Sequence, residues 1–85
     1  MNEIVVGDLL TIENTKYIVI DKIKYVDEDY IFVNEVTDKE ENTSNYYVME
    51  LIGNNVKIIK DKELLEKLLP VFSDNVQVMV NRVFE

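Results

Sequence analysis

The chain has 85 residues, 47% of them hydrophobic and 31% charged, and its seventeen acidic and nine basic side chains leave a net charge of −8. That length suits one domain, residues 1–85, burying roughly 60–65% of its unfolded surface, and its apolar content is too high for a disordered chain. The charge disfavours direct nucleic-acid binding, which depends on cations displacing counterions, and the lack of cysteine and histidine excludes disulfides, thiolate and imidazole metal sites, and Ser–His or Cys–His nucleophiles.

From the N-terminus, "IVVGDLLTI" (residues 4–12) reads as two short strands broken at Gly7-Asp8, since glycine accepts backbone angles that other residues resist. A polar turn, residues 13–16, leads into "YIVIDKIKY", and residues 26–29 lead into "YIFVNEV". Both segments are rich in β-branched and aromatic residues, and they predict a hairpin. Pairing Tyr25 with Tyr30 across a four-residue loop sets Ile23 against Phe32, Asp21 against Asn34 and Val19 against Val36 on one largely apolar face. The other face, with Lys24 against Ile31, Lys22 against Val33 and Ile20 against Glu35, is mixed and is expected to be partly exposed.

Residues 37–45, "TDKEENTSN", contain no apolar side chain and predict an exposed loop. "YYVMELI" and "VKIIK" flank Gly53-Asn54-Asn55, a second tight-hairpin signal. Asp61 is a plausible N-cap for an amphipathic helix over residues 61–72, with Leu64, Leu65, Leu68, Leu69 and Phe72 on one side and Glu63, Glu66 and Lys67 on the other. Pro70 ends that helix between Leu69 and Phe72. "VQVMVNRVF" (residues 76–84) alternates with a period of two and reads as a closing strand, with a terminal helix as the alternative. At a sheet edge it would pair with a second copy and form a homodimer. The fold class is therefore α+β: a curled antiparallel sheet or small barrel of five to six strands, with one helix before the last strand.

No basic leader and no apolar run of the roughly 18 residues needed for a span is visible, so a cytoplasmic protein without membrane contact is expected. Ser44 and Ser73 lack a nucleophile elbow, and two glycines are too few for a phosphate-cradling loop, so neither an enzyme nor a cofactor is expected. Carboxylate chemistry survives only if two acids converge in a sheltered cleft. The consecutive acids Asp27, Glu28 and Asp29 depart from the alternating ligands of a calcium or magnesium loop, and a solvated hairpin tip is the better reading of them.

The distinctive feature is where the acids fall. Residues 27–41 hold seven acids against Lys39, a net of −6. This segment either keeps a small protein soluble or attracts a basic protein surface by local charge. Tyrosine beside an acidic rim is also common at protein interfaces, although tyrosines are ordinary strand residues too. The candidate interaction residues are Tyr25, Asp27, Glu28, Asp29, Tyr30, Asp38, Glu40, Glu41 and Tyr46.

The order of a "DEDYIFVNEV" hairpin, an acidic loop and "YYVMELIGNNVKIIKDKELLEKLLPVF" resembles the small acidic bacterial proteins grouped as domain of unknown function 1292, over about residues 17–73. The N-terminal "IVVGDLLTI" and the valine-rich tail depart from that pattern. The resemblance implies no activity and no functional residues. The function expected is a non-catalytic protein-interaction domain, with an acidic nucleic-acid mimic from a phage or mobile element as the alternative.

Overall fold

The computed structural model describes residues 4–72. These form a five-stranded antiparallel meander, β1 (Leu9–Ile12), β2 (Thr15–Tyr25), β3 (Glu28–Val36), β4 (Asn42–Ile52) and β5 (Asn55–Ile58), followed by helix α1 (Lys62–Leu68) and a 3-10 turn (Leu69–Val71). The predicted strand or helix over residues 76–84, and the dimer edge it would offer, lie outside the described residues.

Three of the four strand connections are two-residue turns. Glu13 and Asn14 take φ 49° and 72°, and Val26 and Asp27 take 48° and 64°. Two positive φ angles in succession match the right-handed twist of the flanking strands. Gly53, at φ 58°, serves the β4–β5 turn. The fourth connection is shorter than expected. Residues 42–45 belong to β4 rather than to a loop, because Asn42 pairs with Val36. Thr37 holds the remaining loop together: its hydroxyl accepts from the Lys39 and Glu41 amides, and its backbone bonds to Glu40 and Glu41.

The β2–β3 register differs from the expectation by two residues. Tyr25 faces Glu28, Ile23 faces Tyr30 and Asp21 faces Phe32. The register then shifts at Ile20, so that Val19 faces Val33 and Ile18 faces Asn34. A bulge inserts one residue and reverses the side-chain alternation beyond it. Tyr17 and Val19 therefore lie on the opposite face from Ile23 and Tyr25. The expected half-exposed face is in fact buried: Ile31 and Val33 are inaccessible to solvent.

Both faces carry a core. On one, Tyr30, Phe32 and Val48 pack with Ile59, Leu68 and Phe72, and Leu64, Leu65 and Leu69 join from the helical segment. Phe32 links sheet and helix, with its ring stacked on Tyr46 at 5.6 Å and tilted against Phe72 at 5.7 Å. Asp61 caps α1 by accepting from the Glu63 amide, and Pro70 falls within the 3-10 turn, where its missing N–H breaks no α-helical bond.

On the other face Tyr17, Val19, Ile31, Val33 and Met49 form a second core, joined by Leu10 and Ile12 from β1 and Val56 and Ile58 from β5. In a flat sheet these edge strands would stand about 19 Å apart, four strand spacings. Here Leu10, Ile12 and Val56 line one groove of about 340 Å³. The sheet is therefore curled, with its two edge strands turned over this core. β1 and β5 are not hydrogen-bonded to one another, so the described residues form an open curl rather than a closed barrel.

The first half of "IVVGDLLTI" is a turn, not a strand. The Val5 amide donates to the Asp8 carboxylate, the Asp8 amide donates to Val5 O, and Gly7 adopts φ 96°. Gly7 and Asp8 then exchange backbone bonds with Val19, which brings the chain into β1.

Candidate recognition surface

In the meander, alternate connections lie at opposite ends of the sheet. The β2–β3 turn, with Asp27, shares one end with the β4–β5 turn. The β3–β4 loop, with Asp38, Glu40 and Glu41, shares the other with the β1–β2 turn. β3 separates the two acidic groups by eight residue steps, roughly 26 Å at about 3.3 Å per residue. The screening length at physiological salt is about 8 Å. The acidic segment that is continuous in sequence is thus two electrically independent groups in space.

The acidic triplet is divided as well. Asp27 occupies the exposed turn, while Glu28 and Asp29 begin β3 and alternate in direction. Asp29 faces Lys24 on β2, an opposite-charge cross-strand pair, and Leu51 on β4. Glu28 is exposed and shares a face with Tyr30. The tyrosines are chiefly scaffold: Tyr30 is buried, whereas Tyr25 and Tyr46 are half-buried and pack against the core beneath the helix.

A residue not anticipated from sequence completes the hairpin end. Glu50 lies opposite Tyr30 on β4. Burial first, then the charges of Glu50 and Glu28, then Tyr25 raise the Tyr30 pKa above its ordinary value. Glu50 lies outside the acid-rich segment of residues 27–41, and only the β3–β4 register brings it in. Beyond Glu50, an open groove of about 360 Å³ runs past Lys57, Lys60 and Asp61 to Leu64.

At the opposite end two further groups were missed. Glu35 accepts a long 3.4 Å bond from the Tyr47 hydroxyl, and Tyr47 meets Tyr17 edge-on at 5.8 Å. Burial, reinforced by Glu35, raises the Tyr47 pKa. Asn34, 2% exposed, donates through its side-chain nitrogen to Thr43 O at 2.8 Å and Asn45 O at 3.0 Å. Thr43 in turn donates its hydroxyl to Glu35 O. This network holds the irregular start of β4 against β3, where the register shifts between Asn34 and Val36.

Among the described residues, no group of three or more acids is gathered as a metal site, and no helix is long and apolar enough to cross a membrane. The cleft between helix and sheet, lined by Phe32, Tyr46, Val48, Leu65 and Leu69, is about 140 Å³. That is below the roughly 300 Å³ at which small-molecule sites begin. No protein-family model, curated protein or solved structure matches the chain.

Proposed function

We propose that the protein is a non-catalytic, cytoplasmic interaction domain that meets a basic protein partner through the β2–β3 hairpin end. The carrying observation is the make-up of that end. Exposed Glu28 and half-buried Glu50 share a face with the packed Tyr25 and Tyr30, exposed Asp27 sits in the two-residue turn, and half-buried Asp29 adds its charge on the opposite face. A short turn on paired strands holds charge in a fixed place, which favours a specific partner over diffuse attraction. The Asp38, Glu40 and Glu41 loop forms a separate acidic surface in this reading and contributes solubility.

Affinity capture from the native cell tests it with three forms: the natural chain, Asp27→Asn/Glu28→Gln/Asp29→Asn, and Asp38→Asn/Glu40→Gln/Glu41→Gln. The first triple variant is expected to lose a partner that the second retains, with binding weakened by salt. Equal recovery by all three forms removes the proposal. Competition of the captured partner by DNA or RNA would move the assignment to a nucleic-acid mimic.

A further inference from the structure

Four polar side chains share one face at the hairpin end: Tyr25 opposite Glu28, and Tyr30 opposite Glu50. Tyr30 is 6% exposed, and its hydroxyl donates to no described residue. Among the described residues no buried side-chain polar atom lacks a partner, so this hydroxyl keeps contact with solvent, and the charges of Glu50 and Glu28 act on it. Glu28 and Glu50 stand diagonal across β3 and β4, roughly 7–8 Å apart and somewhat closer at their Cβ atoms. Neither forms an ion pair among the described residues, although Lys57 faces Glu50 from β5.

Two separated carboxylates flanking an anchored hydroxyl, with a half-buried tyrosine alongside, suit a planar fork of N–H donors better than a point charge. A guanidinium can address both carboxylates while lying against the Tyr25 ring. We infer that Tyr25, Glu28, Tyr30 and Glu50 form a subsite for one arginine side chain of the partner. This rests on the reading above, that the hairpin end meets a basic protein.

NMR titration of the full chain with the peptide acetyl-Gly-Arg-Gly-amide tests the subsite, and the same peptide carrying citrulline provides a neutral isostere. The arginine peptide is expected to shift the signals of Tyr25, Glu28, Tyr30 and Glu50, and the citrulline peptide to leave them in place. Glu28→Gln and Glu50→Gln should each weaken binding about 5-fold, the upper range for an exposed ion pair. Tyr30→Phe, which keeps the ring, should weaken it less, and Lys57→Gln should strengthen it by removing the resident cation. Equal shifts with citrulline, no effect of either glutamate variant, or shifts centred on Asp38, Glu40 and Glu41 would overturn the subsite. The two readings fail separately. A partner captured through Asp27, Glu28 and Asp29 without arginine-peptide binding leaves the surface and removes the subsite. Arginine-peptide binding without such a partner does the reverse.

Discussion

Val26 is the most strained residue on the described surface. It is β-branched, 77% exposed and held at φ 48°, a region that suits Asn or Gly. Its side chain gives up little packing, so Val26→Asn is expected to stabilise the fold by about 1 kcal/mol. An unchanged or lower urea midpoint would show that the turn carries no such strain. Asn34 has the opposite character: it is 2% exposed and its side chain makes two bonds, to Thr43 O and Asn45 O. Asn34→Ala should cost about 2 kcal/mol by removing two side-chain bonds to half-buried Thr43 and exposed Asn45. Amide exchange should quicken first at residues 42–46, and uniform quickening across all strands would contradict the local role. Tyr30 and Tyr47 supply a pH signature. Both pKa values are raised in the fold above the unfolded value of 10.0, chiefly by burial. The folded state therefore holds these protons more tightly than the unfolded chain. Stability should be full below the ordinary tyrosine range and fall as pH rises through the raised values. In an ultraviolet titration, Glu35→Gln should lower the Tyr47 step alone.

At the scale of elements, the β4–β5 hairpin was legible because its turn chemistry is local, and the β2–β3 hairpin because both of its segments are strand-like. Asn14 and Gly53 are residues that accept positive φ, and the strands beside them are rich in β-branched residues. The β2–β3 register was not legible. A two-residue turn and a four-residue loop both join these strands without breaking the apolar pattern near Ile23 and Phe32, and the bulge at Ile20 leaves no local signature. The face taken by Tyr17 and Val19 is consequently set by what lies above and below them. The start of α1 was legible from Asp61, whose side chain accepts from the Glu63 amide. Asp61→Ala should cost about 1 kcal/mol by freeing that donor. The loss should register as reduced helical dichroism and a lower thermal midpoint, whereas an unchanged midpoint would mean that packing of Leu68 and Phe72 alone holds the segment.

For the whole molecule, a net charge of −8 on a small domain means that self-repulsion opposes the compact state. Raising sodium chloride from 0.05 to about 0.5 M shortens the screening length several-fold, so the urea midpoint should rise. A midpoint that falls with salt would indicate that attractive ion pairs outweigh repulsion. The two acidic ends, about 26 Å apart along β3, should act additively when neutralised, since each lies beyond the other's screened field. The sequence by itself determined the antiparallel sheet, the helix after it and the local surplus of acid, because turn residues, apolar periodicity and charge act over a few neighbours. Only the tertiary structure decided that the curled sheet buries its second face and that the acidic segment divides between two ends. It also decided that Glu50 joins Glu28 beside Tyr30. These depend on register, bulges and strand length, which arise when segments distant in sequence compete for the same buried surface.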